Sequence, residues 1–138
     1  MEPMSPTDFV PSKGKLAAVS LIQNFAKNTR EQALAQGTAY SRQKDGEVPE
    51  NPVGYQVSAS GLRQPDISLG EIKVGKNIET SDFTLVIKHN ALFTALLAEL
   101  KESFPVYGIV RNPLAVLASW NSVALPVNEG RIPAGEMF

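Results

Sequence analysis

The 138-residue sequence contains no cysteine and a single histidine, and these two scarcities exclude several kinds of site. Without cysteine there is no disulfide framework, no thiolate metal site and no cysteine nucleophile. A cluster of histidine ligands is excluded too, so we predict no metal site. An excess of charge is also missing, because 13 basic and 14 acidic residues give a net charge of -1. Nucleic-acid backbones are bound by surfaces rich in Lys and Arg, so we predict no nucleic-acid partner.

Long hydrophobic runs are absent as well. No segment reaches the roughly 18 consecutive apolar residues expected of a membrane helix. The acidic, proline-containing start at residues 1–10 differs from the basic and then apolar start of a secretory signal. The sequence therefore predicts a cytoplasmic protein without a membrane partner. Hydrophobic residues make up 43% of the chain and charged residues 20%, as in ordinary folded domains.

The N-terminal half combines one periodic segment with a long polar stretch. Apolar residues recur at three- and four-residue spacing and predict an amphipathic helix over residues 13–36. Ser12 suits its N-cap and Gly37 its end. Residues 37–66 are polar and interrupted by glycine and proline, so we predict no regular element there, although such a long loop is unusual in a compact domain. A short strand is predicted at residues 72–74.

The second half has a clearer pattern of strand, helix, strand and helix. Apolar runs predict buried strands at residues 84–87 and 105–110. Helical spacing predicts helices at residues 91–100, with Asn90 as N-cap, and at 113–123. Buried strands joined by a crossover helix are typical of an α/β fold with a parallel sheet flanked by helices, which we take as the expected fold class.

Polar residues follow both predicted strands at their carboxyl ends, where ligands bind in parallel sheets. Lys88 and His89 follow the first strand, and Arg111 and Asn112 follow the second, so all four are expected at one sheet edge. His89 is the candidate general base, since a neutral imidazole accepts a proton near pH 7. The alternative is a partly buried histidine that hydrogen-bonds the loop or caps the helix.

Arg111 and the helix that starts after it form a candidate anion site. A guanidinium fork and free N–H groups of a helix N-terminus would point into one space. Ser119 lies two turns further along this helix and can add a hydroxyl to a ligand lying along its side. The alternative is that Arg111 pairs with a carboxylate and Ser119 is a small packing residue.

These motifs resemble the middle of the P-loop sulfotransferase family. In the run TLVIKHNALFTALLAELKESFPVYGIVRNPLAVLASWN, one predicted strand ends in Lys88-His89 and the next is followed by Arg111-Asn112-Pro113. The 22-residue step from His89 to Arg111 and the 8-residue step to Ser119 both suit the family pattern. The resemblance covers residues 83–123.

The resemblance implies transfer of a sulfuryl group from 3′-phosphoadenosine 5′-phosphosulfate to an acceptor hydroxyl or amine. It implies that His89 is the catalytic base and that Arg111 and Ser119 bind the 3′-phosphate of this donor. It also implies an incomplete fold of the P-loop type, because the family's glycine-rich 5′-phosphosulfate loop is not found in this sequence. The family spelling has a small residue between the lysine and the histidine, whereas Lys88 and His89 are adjacent here.

We therefore expect residues 1–138 to form a single partial sulfotransferase-like domain, truncated and weak or inactive in transfer. Charge on the leaving phosphate would lack the stabilisation that the missing loop supplies. The alternative is a non-catalytic module that binds a nucleotide or anion, or one that completes its sheet against another chain. A sheet position left open recruits strands, which allows a homo-oligomer through an exposed sheet edge.

Overall fold

The structure, a computed structural model, describes residues 14–74, 78 and 80–138. This part of the chain contains five α-helices, four β-strands and a 3-10 turn at Pro126–Glu129. The helices are α1 (Gly14–Gln36), α2 (Asn90–Ala95), α3 (Leu97–Leu100), α4 (Pro113–Trp120) and α5 (Pro133–Glu136). The strands are β1 (Thr38–Gln43), β2 (Val53–Val57), β3 (Arg63–Pro65) and β4 (Ser68–Lys73).

The long first helix was predicted correctly. Its apolar stripe buries Ala18, Val19 and Ile22 against the other helices, as the three- and four-residue spacing requires. Gly37 ends it with a φ of 66°, a left-handed conformation that glycine adopts without strain. The Gly37 N–H donates to the Ala33 carbonyl at 3.0 Å, and the Gly37 carbonyl accepts from the Val74 N–H at 3.0 Å. The predicted N-cap, Ser12, lies outside the described residues.

The strands form two small antiparallel sheets. Strand β1 pairs with β4 in a continuous register from Thr38 opposite Lys73 to Gln43 opposite Ser68. The predicted strand at residues 72–74 is therefore confirmed within β4, which ends at Lys73. Strands β2 and β3 form a shorter pair whose register shifts between its two ends.

Residues 37–66 contain β1, β2 and β3, so the prediction of no regular element there is wrong. Asp45 and Gly46 reverse the chain after β1, both with positive φ, 54° and 84°. Lys44 and Glu47 exchange backbone hydrogen bonds of 2.9 and 3.1 Å across this turn. An Asp-Gly pair favours such two-residue turns because both residues tolerate the left-handed conformation. The turn brings residues 48–52 back beside β1.

The predicted parallel sheet flanked by helices is wrong. Both sheets are antiparallel and two-stranded, and residues 84–87 and 105–110 belong to no strand of the described structure. Apolar and β-branched residues suit a pleated surface, but a strand forms only where a neighbouring strand completes its hydrogen bonds. In this chain the pairing is made by the more polar segments before residue 74. The shared sheet edge expected for Lys88 and Arg111 is lost with the parallel sheet.

The core lies between α1 and the helices of the second half. Leu92, Leu96 and Leu100 are buried at four-residue spacing, which confirms the apolar face predicted for residues 91–100. The predicted single helix is broken at Leu96, whose φ of -104° and ψ of 13° separate α2 from α3. Ala134 of α5 completes the cluster. The same leucine face therefore holds α1, α2, α3 and α5 together.

Helix α4 lies outside this core and buries none of its residues. It ends at Trp120, three residues earlier than the predicted end at residue 123. The chain after it is tied to β3, because the Arg63 N–H donates to the Ser122 carbonyl at 3.0 Å and its guanidinium donates to the Ser122 Oγ at 2.8 Å. None of the helices in residues 14–74 and 80–138 is both long and apolar enough to cross a membrane.

Candidate functional site

His89 caps the N-terminus of α2. It is 8% exposed, in extended backbone conformation, and its Nδ1 accepts a long hydrogen bond of 3.4 Å from the Leu92 N–H. Its ring lies 6.1 Å from the ring of Phe93. The predicted cap, Asn90, is instead the first residue of the helix. The alternative interpretation of His89 as a helix cap is thus what the structure has.

The cap has a chemical consequence for a base role. A nitrogen that accepts a hydrogen bond carries no proton, so the neutral ring of His89 has its proton on Nε2. This tautomer is assigned from the hydrogen bond. The basic lone pair is directed at the Leu92 N–H, and abstraction of a proton from an acceptor by Nδ1 requires release of the cap. The catalytic role of His89 stays a prediction.

Arg111 and Asn112 meet at the start of α4. The Asn112 Oδ1 accepts from the Leu114 N–H at 2.9 Å, and its carbonyl accepts from the Val116 N–H at 3.1 Å. Pro113 occupies the first helical position, where its missing N–H costs nothing. Asn112 therefore fixes where the helix begins and places Arg111 immediately before its positive end.

The Arg111 side chain is exposed and has no carboxylate partner among the described residues. The alternative of a structural ion pair is not what the structure shows there. Ser119 is exposed too, so it is not the packing residue of the second alternative. It lies seven residues after Asn112, which is two turns and about 10 Å along the same side of the helix. Arg111 and Ser119 therefore stand at opposite ends of one open helix surface.

The candidate base and the candidate anion residues are not brought together. Arg111 makes no polar contact with His89 or with Ser119 in the described structure. Lys88, the neighbour of His89, is exposed and lines a separate cleft together with Arg42. The sequence interpretation missed Arg42, because the strand that carries it buries Ala39 and Ser41 but exposes Tyr40, so its sequence lacks the apolar alternation that predicts a strand.

A second feature was missed because the fold differs from the expected one. The apolar face, as we call it, comprises residues 106–110 and the outer side of α4, and its members with the largest exposure are Tyr107, Ile109, Val110, Leu114 and Leu117. Tyr107 and Ile109 are each 90% exposed and Val110 is 96% exposed. Within the described structure, residues 105–111 take part in no backbone hydrogen bond. The sequence signal was the apolar run itself, which was interpreted as buried.

Searches against protein-family models, curated proteins and solved structures find no match to this chain.

Proposed function

We propose that this chain is a sulfotransferase-like, nucleotide-binding protein in which Arg111 and Ser119 hold the 3′-phosphate of 3′-phosphoadenosine 5′-phosphosulfate. The observation that carries the proposal is the open start of α4, where an exposed guanidinium without an ionic partner stands before a capped helix. A guanidinium donates two parallel hydrogen bonds to phosphate oxygens.

The side of α4 that carries Ser119 is the side proposed to hold the donor. At about 100° per residue, Leu114 and Leu117 lie on the opposite side of the helix and do not contribute to this site. Ser119 lies about 10 Å from the helix start, so the Arg111 side chain must extend along α4 for both residues to hold one phosphate.

Transfer by this chain is expected to be weak or absent. Sulfuryl transfer depends on positioning and on electrostatic stabilisation of the leaving phosphate. The sequence has no glycine-rich loop to supply that stabilisation, and the Nδ1 lone pair of His89 is engaged in the cap of α2. The proposed activity is therefore binding of the donor nucleotide, with His89 as the candidate base for any residual transfer to a hydroxyl or amine.

Calorimetric titration with adenosine 3′,5′-bisphosphate tests the binding. We expect Arg111→Ala to weaken it by about tenfold or more and Ser119→Ala by a few fold. Arg131→Ala removes an exposed arginine that is not part of α4 and serves as the matched control, with unchanged binding. Adenosine without phosphate should not bind measurably. Equal binding by the wild type and Arg111→Ala, or none by the wild type at millimolar nucleotide, contradicts the proposal.

The apolar face favours a second candidate function, the association of two copies of this chain. Monomeric proteins rarely expose contiguous apolar patches of more than a few hundred Å². Full burial of one large apolar side chain is worth about 1.5–3 kcal/mol, which at about 25 cal/mol per Å² corresponds to roughly 100 Å² of surface. Burial of five such side chains therefore removes on the order of 500 Å² per chain from water. A standard interface takes about 800 Å² from each partner, and the backbone of residues 105–111 can add to it by strand pairing.

A second copy is the occupant that we propose, because a segment that pairs antiparallel with itself closes a twofold dimer. Only Arg111 is charged between residues 105 and 120, so charge opposes this pairing little. Sedimentation velocity tests it. A concentration-dependent dimer is expected, and Ile109→Lys should abolish it, whereas Val57→Lys, at an exposed valine of β2, should leave it intact. A monomer at high concentration contradicts this candidate and leaves the nucleotide titration unaffected.

A further inference from the structure

Arg63 of β3 is held beside the C-terminal end of α4. Its N–H donates to the Ser122 carbonyl at 3.0 Å, its carbonyl accepts from the Ala124 N–H at 2.9 Å, and its guanidinium donates to the Ser122 Oγ at 2.8 Å. These hydrogen bonds use both backbone groups of Arg63 and one nitrogen of its side chain. The place of the guanidinium is therefore fixed by the backbone and by the side chain together.

The Arg63 guanidinium lies close to Ser119. The Ser122 Oγ that accepts from it donates in turn to the Ser119 carbonyl at 2.8 Å, and the Ser122 N–H donates to the same carbonyl at 3.2 Å. Residues three apart in such a helical turn have neighbouring side chains. Ser119 is exposed, and within the described structure its hydroxyl has no hydrogen-bond partner. Two hydrogen bonds thus separate this guanidinium from the backbone of a residue that is proposed to bind phosphate.

The charge of Arg63 is not compensated within the described part of the chain. Its side-chain partner there is a neutral hydroxyl, and no described carboxylate, including the exposed Glu129, forms an ion pair with it. A guanidinium has five N–H donors, so most of them remain for a ligand. Carbonyl groups at the end of a helix repel an anion, but those of Trp120 and Asn121 accept from the Asn128 Nδ2 at 3.5 and 3.2 Å. These bonds reduce that repulsion at the end of α4.

We propose that Arg63 is a third binding residue for the donor nucleotide and contacts the same phosphate as Ser119. This inference rests on the proposed function. A phosphate monoester carries up to two negative charges, with a second pKa of about 6. The Arg111 guanidinium can neutralise one of these charges, and Arg63 supplies a second positive charge at the Ser119 end of α4. Arg111 must extend along the helix to reach this phosphate, whereas the Arg63 guanidinium already lies at that end. The site with Arg63 therefore matches a dianion.

Calorimetric titration of the full chain with adenosine 3′,5′-bisphosphate at pH 8 tests this assignment. Arg63→Gln removes the charge but keeps both backbone hydrogen bonds and a donor amide, and it should weaken binding by about tenfold. Ser122→Ala retains the charge but loses the hydroxyl that holds it, and it should weaken binding by about twofold to threefold. Lys73→Gln removes an exposed positive charge from β4 and is the matched control, with unchanged affinity. Equal affinity of the wild type and Arg63→Gln overturns the assignment.

A change of pH separates a charge effect from a structural effect. At pH 5 the phosphate is mostly a monoanion, so the weakening by Arg63→Gln should fall to about threefold. An equal factor at pH 8 and pH 5 overturns the assignment, because a structural role does not depend on the charge of the ligand. A measurement on the wild type needs no variant. The Arg63 Nε–H resonance should shift during the titration and saturate together with the Ser119 amide resonance, and no shift of the former also overturns the assignment.

The outcomes distinguish this inference from the proposed function. Binding that depends on Arg111 but not on Arg63 overturns the inference and leaves the proposed function standing. Binding that depends on Arg63 but not on Arg111 supports the inference and contradicts the role proposed for Arg111. No binding by the wild type at millimolar nucleotide contradicts the proposed function and overturns this inference with it.

Discussion

The guanidinium group of Arg30 lies over the ring of Phe83, 4.2 Å from its centroid. It also donates hydrogen bonds to the carbonyl oxygens of Ser81 at 2.9 Å and of Phe83 at 2.6 Å. A single side chain of α1 thus holds the extended segment that precedes α2. That segment continues to Lys88 and His89, so this contact positions one wall of the cleft that Lys88 and Arg42 line, and also the cap of α2.

Replacement of this arginine should destabilise the fold. We expect Arg30→Met to lower the free energy of unfolding by about 1–2 kcal/mol, through loss of two charge-assisted hydrogen bonds and a cation–π contact on a partly exposed residue. Arg30→Lys retains the charge but not the two donor groups of the guanidinium. Its free energy of unfolding should lie between those of the wild type and of Arg30→Met. Urea denaturation measures both. Lys27→Met is the control on the same helix, since its 4.0 Å pair with Glu31 is solvent-exposed. Equal stability of Arg30→Met and Lys27→Met contradicts this prediction.

Two substitutions of His89 separate its cap from its chemistry. His89→Ala removes the acceptor for the Leu92 N–H and should cost about 1 kcal/mol of stability, whereas His89→Asn supplies an oxygen acceptor and should cost less. Neither variant has a base at this position. Thermal unfolding and a sulfuryl-transfer assay with a labelled donor are measured together. Residual transfer lost in both variants supports a base role, and transfer that follows stability alone argues against it.

The leucine at the break between α2 and α3 should be the most sensitive of its neighbours. Leu96 is fully buried, so Leu96→Ala leaves a cavity in the core and should cost about 2–5 kcal/mol. The adjacent Leu97 is 48% exposed, and Leu97→Ala should cost less than about 1 kcal/mol. Chemical denaturation of the two variants gives the comparison directly. Similar losses for both would mean that the break points a different side chain into the core.

Stability should fall in acid partly through Glu136. The Ile132 N–H donates to its Oε1 at 2.8 Å and Arg131 donates to its Oε2 at 3.2 Å, and these bonds hold the pKa of the Glu136 carboxyl below its usual range. A depressed pKa in the folded state stabilises the fold above the ordinary carboxyl pKa of about 4. That contribution is lost as the pH falls through the lower folded-state pKa.

The variant Glu136→Gln tests this pH dependence. Its unfolding temperature should lie below that of the wild type at pH 7, and the two curves should converge towards pH 2. Glu102→Gln, at an exposed position near α3, should follow the wild type throughout. A gap between Glu136→Gln and the wild type that stays constant from pH 7 to pH 2 would show that the carboxyl proton is not involved.

Local periodicity was enough to predict α1 and the buried leucine face of residues 91–100, but neither the break at Leu96 nor the short core helix α5 was predicted. The stripe of Ala18, Val19 and Ile22 and the stripe of Leu92, Leu96 and Leu100 each lie within one segment, so spacing alone identified the buried face. The sheets depend on contacts between distant segments. Nothing in residues 38–43 specifies that their partner is 68–73, and hydrophobicity pointed to residues 84–87 and 105–110 instead. The pairing of distant segments, and not their local composition, therefore decided which residues became strands.

The candidate site likewise has some features that local sequence predicts and others that depend on contacts between distant segments. Asn112 and Pro113 were predictable because a cap and a first-turn proline act over a few residues. The cap by His89 was one of two interpretations that local sequence allowed. That Arg42 and Lys88 line one cleft was not predictable, since it depends on a turn, a sheet register and the position of an extended segment. The Asp45-Gly46 pair was the one local signal for that turn.

The backbone of Gly37 makes one hydrogen bond within the helix and one to the end of the sheet. Its N–H closes the last turn of α1 on the Ala33 carbonyl, and its carbonyl receives the Val74 N–H beside the end of β4. Local opening of the helix end therefore also releases the end of the sheet, 37 residues away along the chain at Val74. In hydrogen-exchange terms, the amide protons of Gly37 and Val74 should exchange as one cooperative unit, with matched protection. Gly37 therefore ends the helix and also couples the local stability of the helix to that of the sheet.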